Sequence, residues 1–318
     1  MDWFADHFAA WQQWLFETVV QPLAFALGAG NLLEIAYDGT GWLVVGLLQI
    51  AVMLAVIGPM QRLWPVEPVT DRRAVVVDVI YTVIHRLGLF KLVMFFTFEN
   101  WLEEGLGELR GRGLGTFHLD QLWPGVTDGA VVSFIIYLVV FDFANYWVHR
   151  AQHRFNWWWA LHSLHHAQRQ MTMWTDNRNH LLDDVLRDLL FVLLAILIGV
   201  APGQFVALVA LSQLSENFQH ANLRVWFGRI GERLWISPRF HRLHHSVGIG
   251  HESAGKGTLG GYNFGVLLPW WDMLFGTANF ELRYDPTGVR DQVEQGRDYG
   301  AGFWAQQVQG LKRLAGRG

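Results

Sequence analysis

The chain of 318 residues contains no cysteine, and charged residues are scarce. The lack of cysteine excludes disulfides, thiolate zinc sites, cysteine-held iron–sulfur clusters and a cysteine nucleophile. Charged residues make up 16% of the chain, whereas a soluble domain carries about 25%. The net charge is −4 and no basic stripe of the kind that tracks phosphates is present, so nucleic acid is not an expected partner.

The composition points instead to a membrane. Hydrophobic residues make up 52% of the chain. Its seventeen Trp and twenty-two Phe fit the aromatic enrichment seen where proteins cross a membrane surface. The N-terminal segment lacks a basic stretch and contains Asp2 and Asp6, so it does not resemble a cleaved signal peptide. We therefore expect membrane insertion to come from internal segments.

Four internal segments approach the length of about 20 apolar residues that a spanning helix needs: 41–63, 74–98, 126–148 and 189–213. The second contains charged residues and is either one span with a polar face or two shorter pieces. The fourth is split by the sequence Ala-Pro-Gly at 201–203, which predicts a shallow hairpin or two spans. Segment 14–30 is broken by Pro22 and is a candidate interfacial helix.

The distribution of basic residues predicts the orientation of these segments. Arg62, Arg72 and Arg73 place the loop after the first span in the cytoplasm. The loop 100–127 carries several glutamates and suits the opposite side. The segment 149–187 is again basic, which places it in the cytoplasm, close to the membrane surface.

Eight histidines form three tight clusters, of the form HxxxH, HxxHH and HxxHH: His149, His153, His162, His165, His166, His241, His244 and His245. Positions i, i+3 and i+4 share one face of a helix, and neutral imidazole is the commonest side-chain metal ligand. A lone histidine is usually a surface or core residue, but repeated clusters are not explained that way. A catalytic ion usually takes three protein ligands, so eight imidazoles predict a pocket for two metal ions.

Five other polar residues are candidates for metal binding or for contact with the ligands: His180, Asp142, Asn145, Glu216 and Asn217. Metal-bound imidazoles usually donate their second ring N–H to a carboxylate or carbonyl. Asp142 shares a helical face with His149. Its carboxylate either accepts such a bond or simply reaches water.

His220 lies four residues after Glu216 and is a ninth candidate ligand. His180 is either a ligand or a structural residue. His251, in the glycine-rich stretch 248–261, is a weaker candidate. That stretch also contains a formal GxGxxG match, but it lacks the flanking strand and helix of a dinucleotide site.

The order and spacing of the clusters resemble the fatty acid hydroxylase/sterol desaturase superfamily. The resemblance covers residues 126–280 and is carried by six motifs: HxxxH at 149–153, HxxHH at 162–166, FQHAN at 218–222, PRFHRLHH at 238–245, YNFG at 262–265 and PWWDMLFGT at 269–277. In the fatty acid 2-hydroxylase branch of that superfamily a histidine occupies the place of Glu216. This departure argues against that branch.

The resemblance implies an integral membrane, non-haem oxidoreductase with two iron ions, although purified protein could carry zinc. It implies metal ligation by the eight clustered histidines and by His220, with no catalytic side chain beyond the metal centre. Such enzymes use O2 and two external electrons to hydroxylate or desaturate a lipid C–H bond. No bound flavin, haem or nicotinamide is expected, so the electrons would come from a separate protein. Four arginines of the basic segment are candidates to dock that donor: Arg150, Arg154, Arg169 and Arg178.

We therefore expect an all-α protein, an integral membrane helical bundle with a cytoplasmic, histidine-rich di-metal cap. Three regions are predicted: a membrane-associated region 1–125, a catalytic domain 126–280 and a peripheral polar tail 281–318. The lipid substrate would enter from the bilayer. The main alternative is a zinc-dependent membrane hydrolase acting on lipid, which would use the same imidazoles but no electrons.

Overall fold

A computed structural model describes residues 2–247 and 261–317, and its regular secondary structure is helical. Within those ranges no strand forms, and the one β-bridge joins Ser246 to Thr287. The prediction of an all-α fold is confirmed. His251 and the glycine-rich GxGxxG match lie outside the described residues.

The chain divides into two compact units. The first comprises Met1–Leu54 and Val83–Leu114, and the second comprises Ala55–Thr82 and Gly115–Gly318. The first unit contains α1 (Asp2–Leu15), α2 (Gln21–Ala26), α3 (Leu33–Val52) and α6 (Leu89–Gly111). Gly46 of α3 lies so close to the Arg86 carbonyl that an added Cβ would overlap it, so close helix packing requires glycine at this position.

The second unit contains the histidine clusters. It begins in the residues that continue α3. It then contains α4 (Gly58–Leu63) and most of α5 (Arg72–Arg86). Its remaining helices are α7 (Ala130–Arg154), α8 (Asn156–His166), α9 (Leu181–Ile198), α10 (Pro202–His220), α11 (Gly228–Gly231), α12 (Pro238–His244), α13 (Trp270–Leu274), α14 (Arg290–Gln295) and α15 (Phe303–Leu314). Tyr137 and Phe141 of α7 pack with Ala195 of α9 and Leu208 of α10. This apolar cluster fixes α7 against the α9–α10 hairpin.

Two helical segments among the described residues are long and apolar enough to cross a membrane. They are Gly30–Leu63 and Ala130–Arg154, which overlap the predicted spans 41–63 and 126–148. The segment 74–98 follows the second of its two predicted alternatives: it forms parts of two helices, α5 and α6, separated at Gly88, whose φ is +77°. The segment 189–213 turns at Gly199, whose φ is +73°, and restarts at Pro202. In both cases the glycine adopts a left-handed conformation that ends a helix at little cost.

The C-terminal segment includes α15, which packs against α8. Gln307 of α15 is buried and donates to the Tyr81 hydroxyl at 2.8 Å. Gly310 leaves space for the His180 ring, which a Cβ at that position would overlap. The proposed three-region division stays a prediction.

Candidate metal centre

The first group of imidazoles is built from two consecutive helices. His149 and His153 lie one turn apart near the end of α7, and His162 and His166 lie one turn apart on α8. All four side chains are buried, and one ligand atom from each lies within 4.8 Å of the others. The short connection at Phe155 turns the chain so that the two histidine faces meet.

A second group draws on three helices. It comprises His165 of α8, His220 of α10, and His241 and His245 at α12. Nε2 of His220 lies 3.1 Å from Nε2 of His165 and 3.0 Å from Nε2 of His241. Nε2 of His245 lies 3.1 Å from Nε2 of His241. Four nitrogens therefore converge on one point.

A third set links the two groups through His166, His244 and His245. The adjacent pair His165 and His166 is divided between the groups, because neighbouring residues point about 100° apart on a helix. The nine histidines thus form one continuous buried cluster. It contains each of the nine residues that the sequence analysis assigned as ligands.

Burial keeps several of these imidazoles neutral. It is the main reason why the pKa values of His165, His166, His241 and His245 fall well below the ordinary value of 6.5, and neighbouring histidines lower them further. Burial also lowers the pKa of His244 to about 3, despite the hydrogen bond to the Tyr262 carbonyl. A neutral imidazole has the lone pair that a metal ion requires.

Backbone carbonyls orient three of the rings. Nδ1 of His149 lies 2.8 Å from the Phe264 carbonyl oxygen, and Nδ1 of His244 lies 2.6 Å from that of Tyr262. Nδ1 of His220 lies 2.8 Å from the carbonyl oxygen of Glu216. Since a carbonyl only accepts, each Nδ1 carries the proton and each Nε2 presents its lone pair to the cluster.

Asp183 plays the same part for His162 and was missed from the sequence. Its Oδ2 lies 3.2 Å from Nδ1 of His162, while Gln152 and Trp158 donate to the same carboxylate at 2.6–2.9 Å. Burial would raise the pKa of Asp183, but the bond from His162 and its other contacts hold it below the ordinary value. An acid in the first turn of a helix whose second half is entirely apolar is the signal that could have revealed it.

Asp142 does not contact His149 as one interpretation of the sequence expected. Its carboxylate accepts from the backbone N–H of Leu267 at 2.8 Å, from that of Leu268 at 3.1 Å and from Trp271 Nε1 at 2.9 Å. The water-reaching alternative fails too, because Asp142 is 1% exposed. Asp142 instead fixes the loop whose Phe264 carbonyl orients His149.

The remaining candidates lie around the cluster. Asn145 and Glu216 line a small cavity beside His149 and His220. Asn217 donates to Met173 O at 3.2 Å and to Asp176 Oδ2 at 3.1 Å. His180 stands apart: its Nε2 bonds the Gln307 carbonyl, and its Nδ1 accepts from Leu182 N–H at the start of α9. That leaves His180 no ring nitrogen for a metal.

The donor set fits metal ions. His162, His166 and His244 each bury an Nε2 that has no hydrogen-bond partner within the described residues, which costs about 1–3 kcal/mol per group unless something binds it. Nitrogens at about 2.1 Å from a common ion and at right angles to it are about 3.0 Å apart. The Nε2 separations of 3.0–3.1 Å in the second group match that spacing.

The residues that line the cavity beside the second group are mostly polar. His149, His165, His220 and His241 line it together with uncharged amides and the charged residues Asp176, Arg187 and Glu216. Burial would lower the pKa of Arg187, but Glu216 and three aspartates raise it above its ordinary value. The guanidinium therefore stays charged next to the histidine cluster.

We expect Asp183→Asn to weaken metal binding by about 10- to 100-fold, the usual effect of losing a carboxylate that orients a ligating histidine. The measurement is chelator competition on purified protein, with thermal unfolding recorded in parallel. Asp6→Asn, at an exposed position of α1, is the matched control. Unchanged affinity in Asp183→Asn would mean that His162 binds its metal without this contact.

Comparisons with known proteins agree with this geometry. Residues 134–277 match the family model described as fatty acid hydroxylase. The chain is 27% identical over 195 residues to an ornithine lipid hydroxylase of Rhizobium tropici, covering 61% of this chain and 54% of the relative. It is 29% identical over 162 residues to an alkylglycerol monooxygenase of Danio rerio, covering 51% and 33%.

A Delta(7)-sterol 5(6)-desaturase of Gibberella zeae is 27% identical over 195 residues, covering 60% of this chain and 55% of the relative. The chain spans about half or less of the length of these curated relatives. No solved structure matches it significantly. The name of each of these relatives refers to a lipid substrate, but the lipid differs from one relative to the next.

Proposed function

Since residues 134–277 match the fatty acid hydroxylase family model, we propose that this protein is a membrane-bound, di-iron oxidoreductase that hydroxylates or desaturates a lipid with O2 and two external electrons. The observation that carries the proposal is the pair of four-histidine groups, linked by His166 and His245. All-nitrogen ligation suits iron among the first-row metals.

The reaction balances with two electrons and two protons. Hydroxylation converts R–H, O2, two electrons and two protons into R–OH and water. Desaturation with the same reactants removes two hydrogens from adjacent carbons and yields two waters. Iron bound by the histidines would supply the redox chemistry that activates O2.

The protein's own residues would hold the centre in a fixed arrangement. His149, His153, His162 and His166 would hold one ion, and His165, His220, His241 and His245 the other, with His244 beside both. The carbonyls of Tyr262 and Phe264 and the Asp183 carboxylate keep ring nitrogens directed inward. The apolar helix α7, which ends at the cluster, would guide a lipid from the bilayer.

Electrons would arrive from a separate protein on the cytoplasmic face, where we place the cluster. Of the four arginines named for docking, Arg154 and Arg169 are exposed and could meet an acidic surface. Arg178 could not, because it is 5% exposed and its Nε pairs with Asp78 at 2.5 Å. The expectation that Arg178 docks the donor is therefore wrong. Arg178 instead connects the 3-10 turn Thr175–Asn177 to α5.

We expect metal analysis of the protein purified in detergent to approach two ions per chain. Each four-histidine group offers a complete set of nitrogens for one ion, and neither group can serve both. Overexpressed protein could contain zinc, so the number of ions is the informative quantity. A well-folded sample that never exceeds one ion per chain, even after reconstitution with excess iron, contradicts the two-ion proposal.

The zinc-hydrolase alternative makes a different prediction. Lipid oxidation should require both iron and a reductant, and it should transfer label from 18O2 into a hydroxylated product. Activity that persists with zinc alone, without a reductant and with label from H2 18O instead, would favour hydrolysis.

A further inference from the structure

Helix α15 buries polar side chains and exposes apolar ones. Gln306 and Gln307 are 4% and 7% exposed, and Arg313 is buried with them, whereas Trp304 is 74% exposed. A surface helix of a soluble protein has the opposite arrangement, with its apolar side chains toward the core. The exposed side of α15, called the outer face, consists of residues spaced i, i+4, i+7 and i+11: Trp304, Val308, Leu311 and Ala315.

The polar side of α15 faces inward because it has hydrogen-bond partners in the fold. The Gln307 side chain donates to the Asn179 carbonyl at 3.1 Å and accepts from the Leu181 N–H at 2.9 Å. Arg313 Nε donates to the Ala160 carbonyl on α8 at 3.1 Å. These contacts fix the rotation of α15 about its axis, so the outer face is left exposed by the fold itself.

The helix on which α15 packs starts at the end of a candidate membrane span. Helix α7 is long and apolar enough to cross a membrane, and it ends at Arg154. Helix α8 begins two residues later, at Asn156, and Trp157 in its first turn is exposed. Exposed tryptophans are enriched where helices leave a membrane. Since α15 packs against α8, the outer face lies near the end of this span.

The charge around the outer face suits an anionic surface. Residues 299–318 contain no Asp or Glu and three basic residues, although the whole chain has a net charge of −4. Two of these, Lys312 and Arg317, are exposed. Basic side chains close to a membrane are attracted to anionic headgroups. An apolar helix face accompanied by basic residues is the composition of helices that lie in the membrane interface.

We propose that α15 is an interfacial anchor, with its outer face in the headgroup region of the bilayer and with Lys312 and Arg317 on anionic lipid headgroups. Because α8 carries three of the clustered histidines, the anchor holds the histidine cluster at the membrane surface. This inference rests on the proposed membrane association and is independent of the proposed oxidation.

The lack of cysteine allows the anchor to be tested in the full chain with single fluorescent labels. Val308→Cys labels the outer face. Ile135→Cys, at an exposed position of α7, is the reference for lipid, and Gln295→Cys, at an exposed position of α14, is the reference for water. The labelled proteins are placed in nanodiscs of phosphatidylcholine and phosphatidylglycerol.

Nitroxide-labelled lipid should quench the labels at Val308 and Ile135 but not the label at Gln295. Aqueous iodide should quench the Val308 label about fivefold less than the Gln295 label, because the apolar face of an interfacial helix is buried in the headgroup region.

Leu311→Glu, added to Val308→Cys, should raise iodide quenching toward the value at Gln295, since it places a carboxylate in the outer face. Leu282→Glu is the matched control, because Leu282 is an exposed leucine outside α15, and it should leave the Val308 label unchanged. Melting temperatures of both variants show whether α15 keeps its contacts with the fold.

Three results overturn the inference. The first is a Val308 label that iodide quenches as strongly as the Gln295 label, which would place the outer face in water. The second is a label shielded from iodide but not quenched by nitroxide lipid, since protein, such as a second copy of this chain, would then cover the outer face. The third is a folded Leu311→Glu variant with unchanged quenching.

The Ile135 label separates failure of the anchor from failure of the membrane proposal. Lipid quenching at Ile135 without quenching at Val308 would contradict the anchor alone. Absence of lipid quenching at both positions would contradict the proposed membrane association as well.

Discussion

His165→Ala and His245→Ala should each abolish lipid oxidation, with a loss of about 1,000-fold or more. Each substitution removes one of four nitrogens that converge in the second group. A bound metal contributes several kcal/mol to the reaction, and every 1.4 kcal/mol is about tenfold in rate. The measurement is product formation by mass spectrometry, normalised to folded protein. His166→Ala and His244→Ala should behave in the same way.

His118→Ala is the matched control and should keep normal turnover. His118 is exposed and lies in neither histidine group, so its loss removes no ligand. The metal content of each variant should fall along with its activity, which separates ligand loss from misfolding. If two of the four cluster variants retain near-normal turnover, the ligand assignment fails.

Arg239→Met should lower the free energy of unfolding by about 3–5 kcal/mol, the range for removing one partner of a buried ion pair. The Arg239 guanidinium is fully buried and paired with Glu232, which is 2% exposed. Without Arg239, Glu232 would remain as an uncompensated buried charge. This loss of stability should be measured as a lower melting temperature in detergent.

The Arg239–Glu232 ion pair also positions the HxxHH cluster at 241–245. Glu232 accepts from the Ser237 hydroxyl at 2.5 Å, and Ser237 caps α12 by accepting from Phe240 N–H at 3.1 Å. Since α12 carries His241 and ends at His244, Arg239→Met should reduce metal content as well as stability.

The control for this effect is Arg283→Met. Arg283 is 45% exposed at its side chain and pairs with Glu281 and Asp285, and exposed pairs contribute about 0–1 kcal/mol. Adding Glu232→Gln to Arg239→Met should recover part of the stability, because it removes the unpaired charge. Equal melting temperatures for Arg239→Met and Arg283→Met would contradict the importance of the buried pair.

The sequence by itself determined the helices and the main donor set. Apolar segments of sufficient length predict α3–α4 and α7, because helix length and hydropathy are local properties. The i, i+3 and i+4 spacing places histidines on one helical face for the same reason. Pro202 and Gly203 mark the hairpin because proline cannot continue a preceding helix and glycine readily adopts turn conformations.

Tertiary structure decided which imidazoles converge and what orients them. His220 joins His165 and His241 only because α10 packs beside α8 and α12. Two orienting contacts come from the backbone carbonyls of Tyr262 and Phe264, which have no side-chain signature in a sequence.

The carboxylates show the same division between local and distant information. Asp142 shares a helical face with His149, and that local fact suggested a direct contact. The loop that contains Leu267 and Leu268 provides the nearer donors and takes the carboxylate instead. Asp183 reaches His162 from another helix. Helical periodicity fixes the face of a residue, but hydrogen-bond partners distant in the chain depend on how the helices pack, and only the folded protein establishes that.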